Sequence, residues 1–288
     1  MLGELLKSKT QGREKAWFPF GARGSQASAA GEAGARAEVR ESFCAPSATV
    51  PCITVCSSKD GCDCGAEAVR AAFIEELEKK KLPVEVGLGK VGCGGKCKNG
   101  PYVGFPRKEF FYLGVKPGNV AEVVEETIVN GYILFPYLSI GPDRSYRNDI
   151  IYEKDTGLIA TLHDKVCMVE VAKYFLDFES GLSCGKCVPC RIGMMRMLEC
   201  LELMVSGKGT MEDLEQVRSL CQAMLDTPLC EFAMTSSRPV LSAVTHFEDE
   251  FRAHIERQEC PAGVCADLVE IQRKRAIRER LKGKKKKK

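Results

Sequence analysis

The chain has 288 residues, 44% hydrophobic and 28% charged, enough for about two domains that each bury a core. No run approaches the roughly 18 unbroken apolar residues of a spanning helix, which excludes a membrane span read from hydropathy. Sixteen cysteines with no secretory signal ahead of them fall short of the roughly 8 to 10% that marks a disulfide scaffold, so a reducing compartment with metal-bound thiols is expected, the cytoplasm first and an organelle matrix second. The charge is uneven: Arg273 to Lys288 hold eleven Lys or Arg against Glu279 alone, net +10 within a chain of +3, so the other 272 residues carry −7.

Residues 1–46, rich in Ala, Gly, Ser, Arg and Glu, read as a disordered arm. Glu4, Glu14, Glu32, Glu38 and Glu41 weigh against a transit peptide, and Cys44 is given no role. Residues 47–140 have the pattern of an α/β unit. TVPCITVCSS reads as a strand, GAEAVRAAFIEELEKKK as a helix with Val69, Ala72, Phe73 and Leu77 on one face, and VEVGLG as a second strand. YVGF and FFYLGV follow as strands split by Pro106, Arg107 and Lys108. VAEVVEETIVNG closes the unit as a helix with Val120, Val123, Val124 and Ile128 inward and Gly131 as its stop. Residues 141–156, with Pro142, Asp143 and Asn148, read as a linker.

From 157 to 266 the chain reads as helical. Val169, Ala172, Phe175 and Leu176 form one apolar stripe, and Met194, Leu198, Leu201 and Val205 another that stops at Gly207. Thr210 with Asp213 forms a capping-box pattern ahead of Leu214, Val217, Cys221 and Met224, and Val240, Val244, Phe247 and Phe251 line the last helix. Four stripes imply a small four-helix bundle, and the fold class is α+β. Residues 267–288 form the basic tail, expected to be solvated and disordered; it lacks aromatic residues for stacking on bases, so no nucleic-acid partner is expected.

The chemistry concentrates in cysteine. SCGKCVPCRIG places Cys184, Cys187 and Cys190 at two-residue intervals, and Cys230 follows in DTPLCEF. A loop that wraps three corners of a cube, with a distant turn supplying the fourth, suits a [4Fe-4S] cluster. Zinc is the competing occupant, but its four-thiolate sites usually present two separated C-x-x-C pairs. Lys186 and Arg191 flank the loop, where positive charge would favour a reduced, more anionic cluster. Cys200 and Cys221 fall on or beside apolar faces and read as core thiols; His163 and His246 read as structural histidines. No catalytic triad, carboxylate pair or phosphate loop is visible, so no catalytic residue is assigned.

Cys167 in VCMVEV, together with His254, Cys260 and Cys265 in an H-x5-C-x4-C run, makes a third set. One imidazole and three thiolates form a closed tetrahedral site of the kind structural zinc prefers, provided the first and last bundle helices are neighbours. The competing reading makes His254 a helix C-terminal histidine acting on the dipole.

The segments VCMVEVAKYFLDF, SCGKCVPCRIG, DTPLC and PVLSAVTHFEDEFRAHI resemble the C-terminal iron–sulfur domain of the NADH-binding (51 kDa-type) subunit of respiratory complex I and of the beta subunit of NAD-linked [FeFe] hydrogenases. The resemblance implies Cys184, Cys187, Cys190 and Cys230 as cluster ligands. The N-terminal unit, through GCGGKCKNGPYV above all, is similar to the thioredoxin-like [2Fe-2S] domain of the same enzymes, which implies Cys56, Cys62, Cys93 and Cys97 as ligands. Five residues separate Cys56 from Cys62 where the family more often has four, so Cys64 is an alternative second ligand.

Two departures stand out. Between the two units the hydrogenase relatives carry a long flavin- and NADH-binding region where this chain has only 141–156, and its densest glycines, Gly87 to Gly95, run into a cysteine loop rather than a phosphate-cradling helix. ECPAGVC resembles the entrance to a further ferredoxin-like domain, yet meets the basic tail. The expected function is therefore that of an iron–sulfur electron-transfer subunit of a multi-subunit NAD(P)H-linked oxidoreductase, not catalytic alone, with no FMN or NAD on this chain, a flavin-bearing NADH-oxidising partner and a terminal redox subunit. The rival is a metal-stabilised assembly or scaffold protein, or a deletion remnant of such a subunit.

Overall fold

A computed structural model of the chain describes residues 51–57, 62–93, 97, 99–139, 147, 149–154 and 156–285. The expected disordered arm, 1–46, and half of the expected linker, at 141–146, 148 and 155, lie outside the described residues. Strand β1 (Ile53–Cys56) is followed by helix α1 (Ala66–Lys79) and strand β2 (Val86–Gly89), which returns parallel to β1. A crossover between two parallel strands needs a helix long enough to bridge them, and α1 supplies it by burying Val69, Phe73 and Leu77. The hairpin of β4 (Tyr102–Phe105) and β5 (Phe110–Leu113) completes an antiparallel half, giving the order β2-β1-β4-β5. Helix α2 (Val120–Val123), continued by a π-helical turn to Val129, covers the sheet with Val120, Val123, Val124 and Ile128, the side chains its periodicity predicts.

The short strand β3 (Val91–Gly92) leaves this sheet. It pairs with β7 (Leu158–Thr161), itself the second arm of a hairpin with β6 (Ile150–Glu153), in a sheet of order β3-β7-β6. Part of the stretch expected to be a linker is therefore β structure, and the helical half begins only at Met168. The second sheet lies directly against the helices. A Cβ on Gly92 would stand 2.7 Å from the His246 Cβ and from the Phe247 ring, so only glycine allows that approach.

Helices α3 (Met168–Leu182), α4 (Met194–Val205), α5 (Met211–Asp226) and α6 (Glu231–His246) form the expected bundle. Each packs on its sequence neighbours, and α3 also packs on α6, closing the square. The four predicted stripes face inward: Val169, Ala172, Phe175 and Leu176 are fully buried, as are Leu214, Val217, Val240 and Val244. The Thr210 hydroxyl accepts from the Asp213 amide at 3.2 Å while the Asp213 carboxylate accepts from the Thr210 amide at 2.9 Å, so the capping box forms with Asp despite its shorter reach. The last predicted helix breaks at Phe247, where φ −124°, ψ 29° leaves the helical region, and resumes as α7 (Glu248–Arg252) and a π-helical turn to Arg257.

The basic tail departs from expectation. Residues Ala266–Lys285 form helix α8, docked through Leu268 and the partly buried Ile271 and Gln272, and exposed from Arg273 to Lys282. Alternating good helix formers and i,i+4 pairs such as Glu270 with Lys274, 2.6 Å apart, favour the helix over a coil even under like-charge repulsion.

Because Phe175 is fully buried between β6 and the bundle, with its ring 5.8 Å from that of Tyr152, Phe175→Ala is expected to destabilise the protein by about 3–5 kcal/mol. Urea unfolding should show a lower midpoint at an unchanged slope.

Candidate metal centres

Three groups of thiols are brought together, each at the end of a helix. At one tip of the bundle, Cys184 is exposed, Cys187 half-buried, Cys190 buried and Cys230 exposed. Cys190 lies in the π-helical turn Pro189–Gly193 that leads into α4, and Cys230 is the residue before α6. Two helix N-termini thus converge where four thiols meet, and their unpaired N–H groups favour negative charge there. Burial first, and then the proximity of Cys187, Cys230 and Cys184, pushes the Cys190 thiol above its ordinary value. The Cys187 and Cys190 thiols lie within hydrogen-bonding reach of each other, with Cys230 and Cys184 close enough to act on Cys190. A set of four soft thiolates of this kind suits an iron–sulfur cluster or zinc.

The second group lies at the edge of the α/β unit. The thiols of Cys62, Cys64 and Cys97 lie within 4.8 Å of one another, with the first two 3.1 Å apart. Cys56, at the end of β1, reaches Cys64, and its thiol is pushed up to about 12 by burial above all, against a hydrogen bond from the Tyr102 amide. Cys97 is likewise pushed up to about 12, by burial and then by Cys64, Cys62 and Cys93, while the Gly100 amide donates to it. All four expected residues, Cys56, Cys62, Cys93 and Cys97, are therefore present, and Cys64 joins them as a fifth. It accepts a hydrogen bond from the amide of Ala66, the first residue of α1, another helix N-terminus. Backbone N–H donors to several sulfurs and a charge-favouring helix end are what a thiolate-held cluster needs. Gly100 is required by this crowding, since a Cβ there would sit 2.5 Å from the Cys97 Sγ and 3.2 Å from the Cys64 Cβ.

The third group is the tightest. Cys167, His254, Cys260 and Cys265 are all buried with their donor atoms within 4.8 Å of one another. Separations are 3.3 Å from Cys167 Sγ to His254 Nε2, 3.4 Å from Nε2 to Cys265 Sγ, and 3.6 Å between the two sulfurs. A zinc ion bound at about 2.3 Å to sulfur and 2.0–2.1 Å to nitrogen requires spacings of this size. His254 Nδ1 donates to the Glu250 carbonyl at 2.7 Å, which leaves the Nε2 lone pair for a cation. Burial works against a charged imidazole, yet the hydrogen bonds of Cys167 and Cys260 hold His254 up, to about 10. The Cys260 thiol is driven far below its ordinary value by Cys167 and then Cys265. Cys265 is driven as strongly up by Cys167 and Cys260, so these closely spaced donors share their protons. Glu250 also joins the halves: its carboxylate accepts from the Met168 amide at 3.2 Å and pairs with Lys90, whose ammonium donates to the Val166 carbonyl at 2.7 Å.

Cys200 and Cys221 are buried core thiols as expected, pushed by burial to about 11 and about 12 respectively. His163 Nδ1 accepts from the Lys165 amide at 3.1 Å, a local turn contact. Sequence reasoning missed Glu153, whose carboxylate accepts from Tyr102 at 2.5 Å and Asn99 at 2.8 Å and so braces the loop between Cys97 and β4. No local pattern announces it. Glu250 could have been found, because it lies one helical turn before His254.

Residues 170–254 match the family model described as the NADH-ubiquinone oxidoreductase-F iron-sulfur binding region. Over 114 residues, 40% of this chain, it is 43% identical to the NADP-reducing hydrogenase subunit HndC of Solidesulfovibrio fructosivorans, covering 23% of that protein. Over 103 residues, 36% of this chain, it is 35% identical to the F 2 subunit of the NADH-quinone oxidoreductase of Rhizobium meliloti, covering 24% of it. A longer match of 213 residues, 67% of this chain and 46% of the relative, is 29% identical to the F subunit of the NADH-quinone oxidoreductase of Escherichia coli. Through its helical half the chain is similar to an NADP-reducing hydrogenase subunit and to F subunits of NADH-quinone oxidoreductases. It carries an iron–sulfur binding region and spans about a quarter of the length of the first two of these relatives. Among the described residues no helix is long and apolar enough to cross a membrane.

Gly100→Ala is expected to force Cys97 and Cys64 apart and to cut the iron bound by the α/β unit by at least half. Colorimetric iron assay on anaerobically purified protein checks this, with the helical site as the internal reference.

Proposed function

We propose that this chain is the iron–sulfur electron-carrying subunit of a multi-subunit NAD(P)H-linked oxidoreductase, passing electrons between a flavin on a partner chain and other redox centres. The observation that carries the reading is the thiol quartet gathered at the bundle tip, within the residues that match an iron-sulfur binding region, and met by two helix N-termini. In this reading Cys184, Cys187, Cys190 and Cys230 hold a [4Fe-4S] cluster. Cys56, Cys93 and Cys97 with Cys62 or Cys64 hold a [2Fe-2S] cluster in a thioredoxin-like domain, a reading supported by the strand order β2-β1-β4-β5 with one parallel pair. When bound, such clusters supply one-electron transfer. The protein's part is placement and tuning. Cys190 and its apolar neighbours exclude water from the inner side of the tip, the amides of Tyr102 and Gly100 stabilise sulfur charge, and the N-termini of α1 and α6 favour an anion.

Cys167, His254, Cys260 and Cys265 hold a structural zinc that fastens the C-terminal segment to the start of α3. The partners are a flavin-bearing, NADH-oxidising chain and a terminal redox chain, and the compartment is a reducing one, cytoplasm or organelle matrix. FMN and NADH are expected to bind elsewhere than on this chain. The rival, a metal-stabilised assembly protein, would keep the same folds with redox-inert occupants.

Anaerobically prepared full chain should hold about six irons, two in one site and four in the other. Dithionite reduction should raise two distinct paramagnetic resonances, and Cys187→Ser should abolish one of them. Zinc or no metal at the quartet, with no resonance, supports the rival. NADH alone should leave the visible spectrum unchanged.

Elemental analysis should find about one zinc per chain beyond the iron. His254→Ala should lose it and lower Tm by roughly 5–15 °C, since a site formed only in the folded state contributes to folding free energy. Zinc should also leave as pH falls, because protons compete for the thiolates and the imidazole. Unchanged melting and no zinc in the unaltered chain would remove the site.

A further inference from the structure

The exposed side of the thiol quartet is ringed by apolar side chains. Val188, Ile192 and Met195 lie at i, i+4 and i+7 on the chain entering α4, so they share one face. Leu182 ends α3 two residues before Cys184, and Leu229 immediately precedes Cys230. All five are more than half exposed, in a bundle whose other stripes are buried. Together they expose apolar surface on the order of 500 Å², the size of the largest apolar patch on a typical monomer, which is often a functional one. Lys186 and Arg191, both exposed, border it.

We propose that this collar is the docking surface for a redox-cofactor protein, and that electrons enter or leave the quartet through it. The inference rests on the reading of the quartet as a cluster site. Three observations select this occupant. The collar surrounds Cys184 and Cys230, the two exposed thiols of the quartet, whereas Cys190 and the core close the inner side. Its area approaches the roughly 800 Å² per partner of a standard interface, so it can form the dry centre of one, with Lys186 and Arg191 as a cationic rim that complements an acidic partner. A second copy is disfavoured, because docking collar to collar would press two anionic thiolate groups together at low dielectric. Electron tunnelling falls steeply with distance, and an apolar contact brings the partner's cofactor close while keeping water from the thiolates.

The opposite end of the bundle has another task. Cys167 precedes α3 and Cys184 follows it, so roughly 22 Å of helix separates the His254 group from the collar. Helix α8 is rooted at that far end, where Leu268 and Ile271 lie over Gly207, which makes Ile277 a control surface remote from the proposed port.

The test uses the complex purified from native cells through a tag on the full chain, with a photoreactive residue in place of Leu229 or Ile192, or of Ile277 as control. Expected is a cross-link from the first two positions to a different polypeptide carrying flavin or iron–sulfur absorbance, and none to that polypeptide from the third. The double variant Ile192→Glu, Leu229→Glu should slow reduction of the [4Fe-4S] resonance by the native electron donor at least tenfold. Its reduction by dithionite should change less than twofold, and Leu229→Met should behave as the unaltered chain. Cross-links to a second copy, within the chain or to a polypeptide without a redox cofactor overturn the proposal, as does an unaltered rate in the double variant. Loss of the resonance in the dithionite-reduced unaltered complex contradicts instead the cluster reading on which the proposal rests, and removes both.

Discussion

Thiols that lose their protons repel one another, and they can be crowded only where positive charge compensates them. That constraint organises this molecule. Each group of cysteines lies where backbone dipoles, amide donors or an imidazole already supply part of the compensation: Cys64 at the start of α1, Cys190 and Cys230 at the starts of α4 and α6, and Cys167 and Cys265 against His254. Metals would supply the rest. The helices serve as struts whose ends are placed by the thiols as much as by the apolar stripes between them.

The bundle separates two tasks along its length. Its tip carries the quartet, with Cys184 and Cys230 exposed beside an apolar rim. Its base carries the closed, buried group, with donor spacings near those of a single tetrahedral ion and a histidine oriented through Glu250. Glu250 and Lys90 tie that base to β3 and the start of α3, so the α/β unit is fastened to the bundle at the end remote from the quartet. A part-buried ion pair of this kind is weak evidence for net stability, but losing one partner would leave the other charge unpaired.

Much of this was legible in the residues. Period-3.6 stripes located the four bundle helices because each buries one face, and the Thr210 to Asp213 box marked a start that the structure confirms. That Cys167 would meet the H-x5-C-x4-C run was readable because a square bundle places its first and last helices side by side, and the four donors do lie together. Less legible was β structure that depends on distant pairing. Strands β6 and β7 are four residues each beside a polar stretch, and β3 is two residues long, so only their mutual hydrogen bonds define them. The basic tail misled for a related reason: charge density argues for coil, but anchoring at Leu268 and Ile271 nucleates a helix that then extends through residues of high intrinsic propensity. Spacing also could not choose between Cys62 and Cys64, and in the folded chain both thiols reach Cys97.

X-ray absorption on the anaerobically purified chain at both the iron and the zinc edges tests the central claim most directly, because it reports which metal each kind of donor set holds. The account requires an iron spectrum with sulfur neighbours and short iron–iron vectors, and a separate zinc spectrum with three sulfurs and one nitrogen. Absence of iron, with zinc bound by four sulfurs, would contradict it and leave a metal-stapled scaffold in place of an electron carrier.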